Sequence, residues 1–478
     1  MDNEVVTSLI DSMDRYASDH IDALAIDAAK DIPRHILTDL AEMGMFSLSI
    51  PEEWGGAGFG LGSVCEVVTA LARHDRSVAT TVGLHLGLGT RGLIAFANDA
   101  QKERYLPVLA SGEKIAAFSA TEPNAGSDLA AIATRAVRKG DRLKVDGTKV
   151  YVTNGSWADV FTIVADTFDE GGQRVGHSVV VLEGEDAGLG RGAEEGKLGL
   201  RGSSTITVNL DEMDIPGDRL VGVPGKGLEY IHHILAWGRT AMAAGCLGTA
   251  DAAITKAVFQ VHERKQFGRE LAEFEVVQDQ MSRMNAERFA MGALVHRVGA
   301  CPAEELIARS TAAKVFCSDG AWGICDTSLQ LHGGAGFIEE MGVALLLRDA
   351  RITRIFEGAN DVLTVHMGTM EFGVPLPRTA LVTALSDNGL TRRADALAER
   401  IASRKTALWE RYKMRVMRQQ LHVHQLGQLA ILREATDAAV LRAAELGTPE
   451  ALASAEAWIT IAERRANPLL ELVPIPPK

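Results

Sequence analysis

Glu357 stands between Phe356 and Gly358 in the stretch Arg348-Asp-Ala-Arg-Ile-Thr-Arg-Ile-Phe-Glu-Gly-Ala-Asn-Asp361. A carboxylate held against apolar surface loses favourable hydration, so its pKa is expected to rise toward neutrality. Such a group can take a weakly acidic carbon-bound proton and still be unprotonated enough to act. On spacing alone, a Glu here is more often the solvated end of a helix. Two further stretches change that balance. Phe118-Ser-Ala-Thr-Glu-Pro-Asn-Ala-Gly-Ser-Asp128 can offer backbone groups and the Thr121 hydroxyl to a flat heterocycle. Its glycine-permitted turn can then hold a pyrophosphate through amides and the Ser127 hydroxyl. Taken alone it would read as a polar turn with a capping serine. The other is Gln330-Leu-His-Gly-Gly-Ala-Gly-Phe337, where two adjacent glycines allow close approach of backbone to a ligand.

Together the three stretches resemble the acyl-CoA dehydrogenase family, in the family's order from about Leu40 to about Gly368. Phe-Glu-Gly-x-Asn-Asp and the pair Gly238-Arg239 look most like the very-long-chain branch. The resemblance implies α,β-dehydrogenation of an acyl-CoA thioester, with Glu357 as base and hydride transfer to N5 of FAD. It implies that Phe118, Ala120, Thr121 and Ser127 line the FAD, that Tyr151 covers one face of its ring system, and that Thr153 bonds near N5. By the same resemblance Arg264, Gln266, Phe267, Phe274 and Gln278, with Gln330, Gly333 and Gly334, reach the FAD of a second protomer. Asn360 and Asp361 join the cofactor set; Ser127, Arg239 and Gly358 join the substrate set. No GxGxxG follows a strand, so the nucleotide is not bound in the βαβ manner. Some branches carry the base at the position of Gly238; its glycine leaves Glu357 as the one candidate and leaves space near the reacting carbons.

The implied partners are an acyl-CoA or an acyl-carrier thioester, an electron-transfer flavoprotein as acceptor, and a second copy in a homodimer. Two other functions are weighed. A flavin oxidase or monooxygenase on the same fold usually lacks the glutamate, and a nucleic-acid-binding flavoprotein would need a basic extension. The net charge of −14, from 49 basic and 63 acidic residues, argues against broad nucleic-acid binding. His232, His233 and His332 lack metal-ligand spacing, so no metal is expected.

These residues must be positioned by a chain of 478 residues, long enough for two to four domains. Helical periodicity runs to about residue 114, as in Ile32-Pro-Arg-His-Ile-Leu-Thr-Asp-Leu-Ala. A β section follows over 115–222, with Val160–Ala165, Ser178–Leu182 and Ser204–Leu210 as strands and Asp146-Gly147 as a hairpin turn. Tyr151 and Thr153, two apart on a strand, would then share a face. Helices return over 223–374, where the small residues of Ala241–Ala250 suit close helix contact, and a helical extension covers 375–478 with Thr448-Pro449 as a helix start. The fold class expected is therefore mostly α with a middle β domain: an N-terminal helical domain, a β-barrel-like domain, a four-helix bundle and the extension. Within the extension Arg411, Arg415 and Arg418 share one predicted helix face and Met414, Met417 and Leu421 another. We expect the apolar face to pack on the bundle and limit assembly to a dimer, in preference to lying on an anionic membrane. Five widely spaced cysteines and an acidic, non-leader-like start point to a reducing, cytoplasmic compartment.

Overall fold

Apolar residues three and four apart turn the first 110 residues into helices that bury one face each. They are α1 (Asp2–His20), α2 (Ala23–Ala29), α3 (Arg34–Glu42), α4 (Leu61–His74), α5 (Arg76–Leu84), α6 (Arg91–Phe96) and α7 (Asp99–Ala110). The α3 helix buries Ile36, Leu37 and Leu40. Side chains close the exposed helix starts: Asp75 accepts from the Val78 amide at 2.7 Å, and Asn98 and Gln101 form a reciprocal capping box. This computed structural model describes residues 2–378 and 389–471. It falls into two compact units, Met1–Gly248 and Thr249–Lys478.

Between α5 and α6 the chain makes one π-helical turn, His85–Gly89, and His85 is buried there. Its Nδ1 accepts the Ala116 amide at 3.1 Å, and burial pushes the imidazole pKa down to about 3. The unfolded chain therefore binds a proton here that the folded chain refuses. Stability carried by neutral His85 is complete above the ordinary value of 6.5 and is lost as pH falls toward 3, at about 1.4 kcal/mol per pH unit. Urea titrations between pH 7 and 4 should show a shallower acid loss for His85→Asn, whose carbonyl can still accept from Ala116. Equal slopes for the two proteins would remove His85 as the cause.

The β section forms one sheet from β1 (Ala116–Ser119), β2 (Arg135–Lys139), β3 (Arg142–Thr153), β4 (Val160–Phe168), β5 (Arg174–Glu183), β6 (Leu189–Glu194), β7 (Thr205–Pro216) and β8 (Leu220–Val221). Their order is β6-β7-β3-β2-β4-β5-β8, an open run rather than a closed barrel, with β1 on β4. β4 is parallel to β1 and β2; the other pairs are antiparallel. One face buries Leu143, Val145, Phe161, Ile163, Val180, Leu182, Val208 and Ile215. The expected Asp146-Gly147 turn does not form. β3 runs straight through it with a register shift, and the chain reverses instead at Gly140-Asp141. A Cβ on Gly147 would lie 2.5 Å from Thr134 Oγ1, so this glycine serves close packing rather than reversal.

The boundary between units falls inside helix α8 (Gly227–Glu263). In the first unit its small-residue stretch meets the N-terminal helices at contact distance. A Cβ on Gly245 would overlap Arg76, and one on Gly248 would lie 2.2 Å from the Thr69 carbonyl. The second unit continues with the short strands β9 (Lys265–Gln266) and β10 (Arg269–Glu270) and helices α9 (Glu275–Gly299), α10 (Ala303–His332), α11 (Val343–Ile352), α12 (Asn360–Phe372), α13 (Gly389–Tyr412), α14 (Gln420–Leu446) and α15 (Pro449–Leu470). Thr448 caps α15 with proline at its first turn.

The extension is part of this unit rather than a separate body. Gly368 of α12 and Gly427 of α14 cross backbone to backbone, each Cβ position lying within 2 Å of a carbonyl oxygen of the other helix. Buried ion pairs add to this: Arg433 of α14 to Glu371 of α12 at 2.9 Å, and Arg309 of α10 to Glu434 of α14. The predicted amphipathic helix over 411–421 is absent. α13 stops at Tyr412, Lys413 takes φ 49°, and Lys413–Arg418 is a 3₁₀ turn. Its three-residue period buries Val416 and leaves Met414 (71%), Met417 and Leu421 exposed with the arginines, so the expected packing face is not the one used.

Candidate functional site

In the first unit, β1 ends in Phe118 and Ser119, and the chain leaves the sheet through Ala120 and Thr121 into the turn Glu122–Ser127. Phe118 and Ala120 are buried against Ile231 and Ile234 of α8. Thr121 is half-buried and Ser127 exposed, and neither hydroxyl has a hydrogen-bond partner among the described residues. The Val150 amide donates to the Thr121 carbonyl at 3.0 Å, which sets this loop beside the end of β3. There Tyr151 sits in a β-bulge, in left-handed conformation (φ 58°) with its ring exposed. A bulge breaks the two-residue alternation, so the shared face expected of Tyr151 and Thr153 does not follow from their spacing. The half-buried Thr153 hydroxyl is also without a partner among the described residues.

A buried ion pair holds the two segments together. Lys149, 0% exposed, donates from Nζ to Glu122 Oε1 at 2.7 Å and to the Val164 carbonyl at 2.6 Å. Glu122 in turn accepts the Ala133 and Thr134 amides at 2.7 and 3.0 Å. Burial alone would raise the Glu122 carboxyl, but the bonds from Lys149, Thr134 and Ala133 hold it below its usual value. Burial pushes Lys149 down to about 8 against the pull of Glu122. Sequence reading missed both residues. The available signal was a lone lysine among inward apolar positions of a strand.

Arg239 is buried on α8, and burial followed by its charge lowers the pKa of His232. His233 is lowered likewise, by burial and then by Arg91. The backbone of the π-helical turn lies against Gly238: a Cβ on Gly87 would be 3.4 Å from the Gly238 Cα. Glycine at 238 thus allows close approach of the two backbones on this side of α8.

In the second unit, Glu357 lies in the turn between α11 and α12, half-buried and at φ 57°. A left-handed glutamate costs about 1–2 kcal/mol and persists only where its surroundings hold it. The surroundings are visible. Lys314 of α10, fully buried, donates to the Gly358 carbonyl at 2.8 Å and to Asn360 Oδ1 at 2.7 Å. Asn360 bonds Ser318 and Asp319 at 2.9 and 3.0 Å, and its amide donates to the Arg354 carbonyl. Asn360 therefore clamps the turn from inside, while Asp361 is exposed and 3.8 Å from His424. Lys314, Ser318 and Asp319 were not singled out in the sequence, although a single lysine in the apolar run Thr311–Cys317 was the mark of one.

The remaining site residues are brought to two exposed places in this unit. Arg264 follows α8, and its guanidinium has no partner among the described residues. β9 and β10 then make a tight hairpin with Phe267 (93% exposed) and Gly268 both left-handed, at 54° and 84°. Gln266 and Gln278 turn their side-chain amides to local carbonyls of Lys265 and Ala272, and Phe274 meets Phe267 edge-on at 6.3 Å. At the end of α10, Gln330 is exposed, and added Cβ atoms on Gly333 or Gly334 would touch nothing. Among the described residues, eight other than glycine have positive φ, and three of them are sequence-predicted site residues: Tyr151, Phe267 and Glu357.

Known proteins share this architecture. Residues 3–113, 117–213 and 225–369 match the N-terminal, middle and C-terminal domain models of acyl-CoA dehydrogenase. The human very long-chain specific acyl-CoA dehydrogenase, mitochondrial, is 35% identical over 385 residues, covering 78% of this chain and 59% of that protein. The chain thus spans about three-fifths of that relative's length. A Bacillus subtilis acyl-CoA dehydrogenase is 33% identical over 70% of this chain and 88% of its own. The crystal structure of an acyl-CoA dehydrogenase complexed with FAD from Bacillus anthracis superposes with a TM-score of 0.88 at 25% identity, over 98% of this chain and 87% of that one.

Proposed function

From the chain's membership of the acyl-CoA dehydrogenase family, we propose that it removes the α and β hydrogens of an acyl-CoA thioester, with FAD as its cofactor. The observation that carries this reading is Glu357, a carboxylate held in left-handed backbone by the buried Lys314 and Asn360.

The first unit fits a flavin nucleotide. The hydroxyls of Thr121, Ser127 and Thr153 all lack partners among the described residues, and the Gly126 position is open enough for a phosphate to approach backbone. Phe118 and Ala120 would back the ring system, and exposed Tyr151 would cover it. Bound FAD supplies the hydride-accepting chemistry. The protein's part is proton transfer and placement. The Glu357 amide donates to the thioester carbonyl, which acidifies the α-carbon, and a Glu357 carboxylate oxygen takes the proton. Arg239 would meet the CoA portion and Gly358 would let it pass close to backbone. Incubating the holoenzyme with a panel of acyl-CoAs, without oxygen, should bleach the flavin for at least one chain length. No bleaching with any thioester, carrier-bound ones included, would defeat the proposal. Fast reoxidation in air would move the protein to the oxidase class.

The exposed Arg264 hairpin and the Gln330–Gly334 turn support assembly with a second copy whose cofactor they would touch. Sedimentation should give at least a dimer, and Arg264→Ala should weaken FAD retention about tenfold by removing a charge-assisted bond to phosphate. A fully flavinylated monomer would refute this. An electron-transfer flavoprotein as acceptor and a cytoplasmic location, the latter resting on cysteine spacing, belong to the same proposal.

A further inference from the structure

Arg404 lies on α13 with 4% of its surface exposed, and neither Nη1 nor Nη2 has a partner among the described residues. The Tyr412 hydroxyl, at the end of the same helix, is also buried without one. The Tyr412 ring lies 5.8 Å from that of His422 on α14, and the Arg411 guanidinium sits 5.5 Å over the Tyr412 ring. Burial first, then the charges of Arg404 and Arg411, hold His422 below its ordinary pKa, and Arg404 in turn lies within electrostatic reach of Tyr412. No described carboxylate pairs with Arg404. A guanidinium does not shed its proton, and leaving it buried without a counter-charge is strongly unfavourable. The corner supplies a two-pronged cation and a hydroxyl, and lacks only an anion.

We propose that the corner formed by Arg404, Tyr412 and His422 is a binding site for a phosphate-type oxyanion. Arg404 would take two of its oxygens and the Tyr412 hydroxyl a third, a donor set suited to a tetrahedral anion. Entry requires a neighbouring segment to lift, and the segment that follows Tyr412 directly is the Lys413–Arg418 turn. It is 3₁₀ rather than α-helical, left-handed at Lys413, and buried only at Val416. Such a turn opens more readily than the helices it joins. Exposed Arg411, Arg415 and Arg418 on and beside it draw anions toward the site. The oxyanion has two sources, dissolved phosphate or the phosphate of an anionic lipid headgroup.

The test uses the full chain. Thermal midpoints are titrated with inorganic phosphate against chloride at matched ionic strength, and sedimentation is followed with phosphatidylcholine vesicles with and without phosphatidic acid. Wild type and the surface control Arg400→Met should show a saturable response specific to phosphate, and Arg404→Met should bind at least about tenfold more weakly. A response to phosphatidic acid vesicles alone, lost in Arg404→Met, keeps the site and assigns the lipid source. Equal responses in all proteins, equal effects of chloride and phosphate, or no response to either source would overturn the site. Should Arg404→Met not fold, Tyr412→Phe keeps the packing and removes one donor. An unchanged affinity in that variant would overturn the site as well.

Discussion

Glu357→Gln should fold, keep its flavin and lose dehydrogenation by roughly 10²- to 10⁴-fold, the usual range for removing a positioned general base. The amide matches the carboxylate in shape but cannot accept the α-proton, so the loss belongs in the chemical step and kcat and kcat/KM should fall together. Two bonds that hold this turn are independent of the Glu357 side chain: Lys314 bonds the Gly358 carbonyl and Asn360. The turn should therefore survive the substitution. Single-turnover flavin reduction by an acyl-CoA, compared between the two proteins, is the measurement. Near wild-type rates would transfer the base role elsewhere, and a simultaneous loss of flavin would mean that the turn itself had failed.

The second large effect is expected at Lys149. Lys149→Met leaves Glu122 buried with two amide donors and no counter-charge, a change worth about 3 kcal/mol for a broken buried pair. The damage should extend to the cofactor, because Glu122 follows Thr121 directly and Lys149 precedes Tyr151 by two residues. Urea unfolding should show the stability loss, and dialysis should release FAD faster than from wild type. The double variant Glu122→Gln/Lys149→Met should recover part of the stability, since two polar groups removed together leave less buried charge. A loss below about 1 kcal/mol for the single variant would show that the pair is not a structural tie.

Both effects turn on residues of unequal visibility. Glu357 could be picked out because its neighbours form a linear motif, and so could Phe118–Ser127 and the Arg264 and Gln330 segments. The alternation of helix, strand and helix was legible for the same reason: periodicity and turn residues are local. The helix start at Thr448-Pro449 came out as read. Lys149 with Glu122, and Lys314 with Asn360, are separated by 27 and 46 residues, and nothing local joins them.

Where local signals failed, a tertiary contact had overridden them. Asp146-Gly147 has the composition of a hairpin turn, yet Thr134 presses against Gly147 and the pairing of β3 with β7 carries the strand through. The arginine and methionine spacing at 411–421 suits one amphipathic helix. The crossing of α14 over α12 at Gly427 and Gly368 instead starts a new helix at Gln420, and the chain between is wound as a 3₁₀ turn. Residue types and short spacings thus decided the kinds of element and the chemistry each motif can do. Only the packed chain decided which charges are buried, since burial depends on backbone brought close from distant positions, and that in turn set the left-handed carboxylate of Glu357 and left Arg404 without a counter-charge among the described residues.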